Sequence, residues 1–342
     1  MRLLTVLKPL SPRVSYHPGF SPPEDALPSP FPEGRGEKVT VGYIAGTGFC
    51  GSTLVSFVLN THPQIFSPGE VGPARREERR ADTRCSCGAL LMQCPFFLEV
   101  AARMCRQGLP LDLGRWRLRY RFSDSMSIER LARRLCCEPR LEPVHKALRA
   151  VFPPYRRFMS WQDQRNEAFI RAALAASHKR IFLDATKLHT RVSELRRMPT
   201  IELRVIHLVR DPRAFCYSAH RRNGKPFPVL ARNWVAVNRA IHRQVDALPT
   251  RAWVRVNYES LCRDPARGFA ALAEFLGAEG FRLPDNFRAF PHHIIGNQMR
   301  KASDRRTTVE LDEKWKNELP PHDQKVIAGI AGSHARAYGY EI

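Results

Sequence analysis

Residues 39–60 read VTVGYIAGTGFCGSTLVSFVLN, and this stretch decides the fold. The apolar, β-branched run from Val39 to Ala45 predicts a short buried strand, and the six residues 46–51 that follow contain three glycines. From Ser52 onward apolar residues recur at helical spacing, which predicts a helix. Backbone N–H groups at such a helix start favour an anion, and glycines let the backbone approach it closely. The stretch therefore predicts a phosphate-binding loop.

The spacing of this loop resembles that of a nucleoside-triphosphate P-loop. Gly46 to Thr53 reads G-x-x-x-x-G-S-T, but Ser52 stands where the P-loop has the lysine that reaches the β- and γ-phosphates. Ordinary ATP chemistry is therefore disfavoured, and a phosphate-bearing ligand held by backbone and hydroxyl donors is favoured. A glycine-rich turn without a ligand is the alternative.

The composition is strongly basic. Lys and Arg number 55 against 33 Asp and Glu, which gives a formal net charge of +22 and a pI near 10.3. This surplus favours acidic ligands such as a nucleotide, a nucleic acid, an anionic glycan or a lipid headgroup. Genomic base composition is the alternative origin of the many arginines.

The start of the chain and the cysteine content predict a cytoplasmic protein. The opening MRLLTVLKPL is interrupted by Lys8 and Pro9 too early for a signal peptide or a membrane span, and no later stretch reaches 18 apolar residues. The nine cysteines are then expected to be reduced. A basic face that touches a membrane peripherally is compatible with this expectation.

Two segments differ from the rest of the chain. Residues 1–36 are rich in Pro and carry no periodic apolar pattern, so they predict a flexible N-terminal segment ahead of a domain over 37–342. Residues 75–180 are basic and helix-like, and they predict a helical insertion that covers one side of a sheet as a lid.

The insertion contains the cysteine-rich run RCSCGALLMQCPFF. Cys85, Cys87 and Cys94 suggest a zinc knuckle, with Cys136 or Cys137 as a candidate fourth ligand. However, C-x-C lacks the two-residue spacing typical of structural zinc sites, and no histidine follows closely. Buried thiols are therefore the favoured interpretation, and the sequence predicts no metal site.

Past the insertion, strand-like and helix-like patterns alternate. KRIFLDATK (179–187), ELRVIHLV (202–209) and RAWVRVNYES (251–260) predict strands, and LHTRVSELRRM (188–198) and DPARGFAALAEFLG (264–277) predict helices. Such alternation builds βαβ units, in which ligands bind at the carboxyl ends of parallel strands. The sequence therefore predicts an α/β fold with three layers and a mainly parallel central sheet.

A second phosphate contact is predicted at the end of the strand VIHLV. Arg210 leaves this strand, Asp211 and Pro212 mark a helix start, and Ser218 lies two turns into that helix. A guanidinium fork and a hydroxyl at this spacing grip one phosphate from two sides. The alternative is a structural salt bridge between Arg210 and Asp211.

Together these motifs resemble the sulfotransferases that use 3′-phosphoadenosine 5′-phosphosulfate (PAPS), most closely bacterial and carbohydrate-type members. The resemblance rests on GSTL (51–54), THP (61–63), LVRDPRAFCYS (208–218) and VNYESLCRDP (256–265), and it extends over residues 39–340. It implies a P-loop-like α/β/α domain that moves a sulfonate group directly from PAPS to an acceptor hydroxyl or amine. Adenosine 3′,5′-bisphosphate would be the product, and the reaction would require no metal.

The resemblance also assigns site residues. The loop that binds the 5′-phosphosulfate would consist of Gly48, Cys50, Gly51, Ser52 and Thr53. The 3′-phosphate would contact Arg210 and Ser218. Further nucleotide contacts would come from Tyr258, Glu259 and Arg300 or Lys301.

One departure concerns the charge of the loop. Family loops commonly read R-S-G-S/T-T, and here Phe49 and Cys50 replace the Arg and the Ser. Lys187, at the end of a predicted strand, is the candidate that replaces the missing positive charge.

The resemblance offers two candidates for the base that takes the acceptor proton. Glu70 resembles the Glu of a G-E pair after the loop helix, and Lys187-x-His189 resembles the K-x-H of cytosolic small-molecule enzymes. Glu70 is favoured, because the surrounding sequence is closer to the branch that uses Glu. The basic insertion suits a carbohydrate or glycolipid acceptor.

Two further classes of protein compete with this interpretation. A nucleic-acid-binding protein would use the charge and the aromatic residues of WRLRYRF (116–122), but no DNA- or RNA-binding motif accompanies them. A P-loop kinase would need an acidic magnesium ligand, for which Asp184 is the candidate. The sequence therefore predicts no nucleic-acid partner, and it leaves the oligomeric state open.

Overall fold

The computed structural model of the chain describes residues 37–71, 83–113, 118, 127, 132–133, 137–295, 299 and 305–342. Five strands within these ranges form one sheet in the order β2-β3-β1-β4-β5, and every neighbouring pair is parallel. The strands are β1 (Val39–Gly46), β2 (Ile65–Gly69), β3 (Ile181–Lys187), β4 (Ile201–Val209) and β5 (Trp253–Asn257).

Helices alternate with the strands along the described chain. They are α1 (Ser52–Asn60), α2 (Pro95–Cys105), α3 (Glu142–Val151), α4 (Pro153–Ser177), α5 (His189–Arg196), α6 (Pro212–Asn223), α7 (Phe227–Val245), α8 (Tyr258–Arg263), α9 (Pro265–Phe275), α10 (Trp315–Glu318) and α11 (Pro321–Ala337). No helix in the described ranges combines the length and apolar character that crossing a bilayer requires.

Helices cover both faces of the sheet. Tyr43 of β1 belongs to a buried cluster that includes side chains of α2, α4, α5 and α7, whereas Ile44 belongs to a second cluster with α1, α8 and α9. Strands buried on both faces read as continuous apolar runs, which is why β1 is recognisable from sequence. The predicted α/β fold with three layers and a parallel sheet is confirmed.

The register of the sheet brings the strand ends together. Gly46 of β1 lies opposite Leu208 of β4, and Ala45 lies opposite Lys187 of β3. The chain moves from β1 to β2 on one side of the sheet and later to β4 and β5 on the other, so β1 lies at a topological switch point. Ligands of open parallel sheets bind beyond the strand carboxyl ends at such a point.

The domain boundaries predicted from sequence remain predictions. The N-terminal segment 1–36 lies outside the described residues, as do residues 75–82 and much of 114–136 within the predicted insertion. The described parts of the insertion include α2, α3 and α4, and α4 enters the core, where Phe169 packs edge-on against Phe182 of β3 at 6.0 Å.

Candidate nucleotide site at the strand ends

Neighbouring residues determine the shape of the loop that joins β1 to α1. Gly51, with a φ of 94°, would place a Cβ atom only 2.5 Å from the Tyr258 ring, and a Cβ atom on Gly46 would lie 2.7 Å from the Leu208 carbonyl oxygen. In contrast, a Cβ atom on Gly48 would meet nothing within 4 Å among the described residues. Two glycines therefore allow close packing, and the third faces open space.

The start of α1 has the features of an anion site. Gly51 is the N-cap residue, no side chain caps the helix, and its first turn contains no acidic residue. Ser52 and Thr53 are buried at this end with 4% and 8% of their surface exposed. The first N–H groups of a helix have no partner within the helix, and together with the helix dipole they favour a bound anion. These features suit a bound anion such as a phosphate group.

Arg210 follows β4 directly and lies beside this loop. Its Nη1 donates to the Phe49 carbonyl oxygen at 3.0 Å and to the Ser218 hydroxyl at 3.4 Å. Its Nη2 donates to the Asp312 carbonyl oxygen at 3.2 Å and to the Asp312 carboxylate at 3.0 Å. The structure thus brings Arg210 and Ser218 together, next to the loop and within reach of one ligand.

The alternative salt bridge between Arg210 and Asp211 does not form. Asp211 is the N-cap residue of α6 and accepts from the backbone N–H of Arg213 at 2.7 Å, while Arg213 Nη2 donates to the same carboxylate at 2.7 Å. This cap, followed by Pro212 at the first helical position, is the helix start that the sequence predicts. Arg210 instead forms its salt bridge with Asp312 while it also contacts the loop at Phe49.

Packing holds Arg210 in place. Its guanidinium lies 4.9 Å from the centre of the Tyr258 ring, and its carbonyl oxygen accepts from the indole N–H of Trp234 at 3.0 Å. The residue is 6% exposed, and its buried Nε has no hydrogen-bond partner among the described residues. A buried donor without a partner is costly, and a phosphate oxygen would satisfy it.

Glu70 and Lys187 form an ion pair on the other side of β1. Lys187 Nζ donates to Glu70 Oε1 and, at 3.3 Å, to the Ala185 carbonyl oxygen. Lys187 lies at the end of β3 with a φ of 69°, and the Glu70 backbone N–H donates to the Ile295 carbonyl oxygen at 3.2 Å. The side chains of Glu70 and Lys187 remain 22% and 15% exposed, so both are accessible to a ligand.

Cys50 shows that positive charges flank the loop. Burial raises the pKa of its thiol, whereas the charges of Lys187 and Arg210 act in the opposite direction. Phe49, which replaces the usual arginine, has a φ of 60° and packs its ring 6.5 Å from that of Phe215. The loop therefore carries no charge of its own at these two positions, and its nearby cations come from strand ends.

His189, the other candidate base, lies in a different electrostatic environment. It is the first residue of α5, and burial lowers its pKa to about 4, with further lowering by Arg243 and Arg133. Lys187 instead pairs with Glu70. The two residues of the K-x-H motif therefore have different surroundings. Lys187 belongs to the ion pair at the strand ends, whereas His189 lies near arginines.

The other residues that the resemblance assigns to nucleotide contacts differ in their surroundings. Tyr258 is buried, its hydroxyl donates to the Glu310 carbonyl oxygen at 3.3 Å, and burial raises its pKa. Glu259 accepts from the Asp211 backbone N–H at 3.0 Å and from the Tyr340 hydroxyl at 2.7 Å, so it supports the turn after β4. Arg300 and Lys301 lie outside the described residues.

Asp184 has a structural partner set. Its carboxylate is fully buried, accepts from the Thr186 backbone N–H at 2.9 Å and pairs with Arg191 at 3.2 Å. Arg191 in turn pairs with Glu194 at 3.2 Å. A carboxylate with these partners is a poor candidate for the magnesium ligand of a kinase.

Sequence reasoning missed Asp312. This residue binds the guanidinium of Arg210 although it lies 102 residues further along the chain. The segment around it, ELDEKW (310–315), shows no pattern that would distinguish Asp312 from the neighbouring acidic residues. Only the fold reveals the contact.

These groups define one site, here called the strand-end site: the loop 46–53 after β1, Glu70 after β2, Lys187 at the end of β3, Arg210 after β4 and Tyr258 after β5. Each of the five strands contributes at its carboxyl end.

Comparisons with known proteins find similarity among solved structures. No protein-family model matches the chain, and no curated protein matches it. Among solved structures it is similar to the sulfotransferase domain of the olefin synthase of Synechococcus PCC 7002, with 18% identity, a TM-score of 0.48 and coverage of 90% of this chain and 96% of that one.

Further neighbours have the same description. The sulfotransferase domain from the curacin biosynthetic pathway has 16% identity, a TM-score of 0.48 and coverage of 90% of this chain and 99% of its own. Sulfotransferase STF9 from Mycobacterium avium has 12% identity, a TM-score of 0.43 and coverage of 90% and 78%. The structural neighbours are thus sulfotransferases, as the resemblance predicts. At these identities and TM-scores, function has to be argued from the site.

Proposed function

We propose that this protein is a sulfotransferase that moves a sulfonate group from PAPS to a hydroxyl or amine of an acceptor. The observation that carries the proposal is that two arrangements suited to binding a phosphate lie at adjacent strand ends. One is the uncapped start of α1 with its glycine loop after β1. The other is Arg210 with Ser218 after β4.

This pair of arrangements favours PAPS over ATP. PAPS carries phosphate at both the 3′ and the 5′ position of the ribose, so it offers one anionic group to each arrangement. ATP has no 3′-phosphate, and it requires the P-loop lysine and the magnesium ligand, for which the chain has Ser52 and the structurally paired Asp184.

The reaction would transfer the sulfonate in a single in-line step. The sulfur forms its bond to the acceptor oxygen or nitrogen while its bond to the phosphate oxygen breaks, and the acceptor proton passes to a base. Backbone N–H groups of residues 51–53 would hold the 5′-phosphate and stabilise the charge that develops on it. Arg210 and Ser218 would fix the nucleotide through its other phosphate.

Glu70 is the base that we favour. Its carboxylate is partly exposed at the strand-end site, and its partner Lys187 lies at the end of β3, directly beside β1. Lys187 would donate to the transferring group or to the departing phosphate, the role of the missing loop arginine. His189 is the weaker candidate, because the charges that act on it come from Arg243 and Arg133, which are not part of the strand-end site.

The class of acceptor that we propose rests on charge alone. A net charge of +22 suits an anionic carbohydrate or a glycolipid, and a basic face would also suit peripheral contact with a membrane surface. The sequence segment that would support nucleic-acid binding, 116–122, is outside the described residues except for Leu118. We propose a cytoplasmic enzyme that acts on a glycan or a small molecule.

Calorimetry with adenosine 3′,5′-bisphosphate, the product of the reaction, tests the proposal. The wild type should bind the bisphosphate more tightly than ATP, and Arg210→Ala should lose on the order of 2 kcal/mol, or about 30-fold in affinity, because a charge-assisted contact is lost. Arg251→Ala is the matched control. Arg251 is exposed just before β5, at the amino end of the strands, whereas the strand-end site lies at their carboxyl ends.

The outcomes separate the hypotheses. Equal loss in both arginine variants would indicate a general charge effect and would reject the assigned 3′-phosphate contact. No binding of the bisphosphate by folded wild-type protein would reject the sulfotransferase proposal and would favour nucleic-acid binding instead. Circular dichroism of each variant checks that the fold is retained.

A further inference from the structure

Four side chains outside the strand-end site converge on one point. The sulfur atoms of Cys85, Cys87 and Cys94 and a ring nitrogen of His293 all lie within 4.8 Å of one another. Cys85 and Cys94 are buried, His293 is half-buried and Cys87 is exposed. We call these four residues the Cys–His cluster.

Three distances within the cluster are close to the edges of a metal-centred tetrahedron, and the other pairs of ligand atoms lie within 4.8 Å of each other. Cys87 Sγ and Cys94 Sγ are 3.7 Å apart, and His293 Nδ1 lies 3.3 Å from Cys94 Sγ and 3.6 Å from Cys85 Sγ. Tetrahedral zinc with its usual bond lengths would separate two sulfur ligands by about 3.8 Å and a sulfur from a nitrogen by about 3.6 Å. The four atoms are therefore close enough together for small side-chain adjustments to place them around one ion.

A tight turn presents two of the thiols. Cys85 N–H donates to the Ala89 carbonyl oxygen at 2.9 Å, and Gly88 N–H donates to the Cys85 carbonyl oxygen at 3.0 Å. Gly88 has a φ of 92°, a conformation that favours glycine, and the chain then pairs back through a bridge from Arg84 to Leu90. This turn places Cys85 and Cys87 together, and Cys94 joins them as the N-cap residue of α2.

His293 is held in position by its own neighbours. Its ring stacks on that of Phe96 at 4.5 Å with an angle of 11° between the planes. Ser86, which lies between the first two cysteines, accepts from Ile294 N–H at 2.8 Å and donates its hydroxyl to the His292 carbonyl oxygen at 2.8 Å. Backbone and stacking contacts thus fix the histidine with Nδ1 toward the thiols.

Neither a disulfide nor simple packing accounts for the whole cluster. A disulfide needs two sulfurs at about 2.05 Å, far shorter than the 3.7 Å between Cys87 and Cys94. Packing is enough to account for buried thiols, but Cys87 is exposed and still turns its sulfur toward the other three ligand atoms. Three thiols and one imidazole are a ligand set that proteins use for structural zinc.

We propose that Cys85, Cys87, Cys94 and His293 bind one zinc ion. Four protein ligands fill a tetrahedral site and leave no open position, so the ion is structural. The zinc joins the turn at 85–89 and the start of α2 to the segment around His293. This inference goes beyond the proposed function and does not depend on it.

The zinc site also has a connection to the strand-end site. Ile295, two residues after His293, donates its N–H to the Pro68 carbonyl oxygen at 2.8 Å and accepts from Glu70 N–H at 3.2 Å. The backbone beside Glu70 is thus bonded to the segment that the ion would anchor. Loss of zinc should loosen this segment.

Metal analysis of the full-length chain, purified under reducing conditions, tests the inference. We expect one zinc per chain that survives gel filtration, and replacement by Co²⁺ should give the absorption of tetrahedral cobalt with thiolate ligands. Cys87→Ser and His293→Ala should each lower zinc retention at least tenfold, because each removes one ligand. Cys105→Ser is the matched control, because Cys105 is an exposed cysteine at the end of α2, outside the cluster.

Each result decides the matter. Zinc that is lost in the two cluster variants and retained in the control establishes the site. A folded, reduced wild-type chain without zinc, a chain that holds iron instead, or equal retention in all variants overturns it. Because Cys87 is exposed, its substitution is the least disruptive to folding, and the cobalt spectrum of the wild type provides a measurement that needs no variant.

Discussion

The strand-end site and the Cys–His cluster are linked through Ile295, which bonds to the Glu70 backbone and lies two residues after His293, yet the chain assembles them in different ways. Each group of the strand-end site follows a parallel strand, and the register of the sheet collects them at one edge. The cluster instead depends on His293, which lies 199 residues after Cys94. Local patterns and the rules of parallel sheets therefore predict where the first lies, at the strand ends, whereas the second requires a contact that no local pattern encodes.

The sharpest way to separate the two regions is to remove the proposed base. Glu70→Gln should lower kcat of sulfonate transfer on the order of a hundred- to ten-thousand-fold, or about 3–5 kcal/mol, because an amide cannot accept the proton. Affinity for the bisphosphate should change by about twofold or less, and zinc content should be unchanged. Steady-state kinetics, calorimetry and metal analysis on one preparation check all three.

His189→Asn provides the comparison for this experiment. If it lowers kcat more than Glu70→Gln does, His189 is the base and the assignment of Glu70 is wrong. A loss of zinc in Glu70→Gln would show that the strand-end site and the Cys–His cluster do not behave as independent regions.

A second prediction concerns the other carboxylate near the end of β3. Asp184→Ala should lower the free energy of unfolding by about 3–5 kcal/mol, because Arg191 would lose a buried partner. Glu202→Ala is the matched control, because its pair with Arg204 is exposed and should be worth about 0.5 kcal/mol or less. Urea unfolding measures both, and equal effects would show that burial does not distinguish the two pairs.

The smallest expected effect lies at Asp312. Asp312→Asn should tighten binding of the bisphosphate by up to about fivefold, because a partly exposed carboxylate no longer competes with phosphate for Arg210. Glu313→Gln, which changes the neighbouring residue that pairs with Lys316, is the matched control. Weaker binding in Asp312→Asn would mean that this carboxylate orients Arg210 for the ligand.

Much of the fold could be predicted because its signals are local. β1, the glycine loop and α1 follow from an apolar run, three glycines and a helical repeat, and α6 begins at Asp211 and Pro212 as its capping pattern indicates. The pairing of Arg210 with Ser218 also follows, because eight residues of strand end and helix leave little freedom.

The remaining features depend on distant parts of the chain. Asp312 reaches Arg210 over 102 residues, and the Lys187–Glu70 pair joins two strand ends that are 117 residues apart. The sequence favours buried thiols without metal because no histidine is close to the cysteines in the chain. In the fold, His293 from the segment after α9 lies beside them. Sequence spacing alone cannot reveal a ligand that arrives from another part of the fold.

Tyr258 gives the strand-end site a property that its separate contacts do not have. Its ring lies against Gly51 and is 4.9 Å from the Arg210 guanidinium, so both arrangements proposed to bind phosphate contact the same side chain. Occupation of either one restrains the ring that shapes the other. We therefore expect the two phosphates of a single nucleotide to be recognised cooperatively, with a bisphosphate binding more tightly than the separate contributions of two monophosphates would suggest.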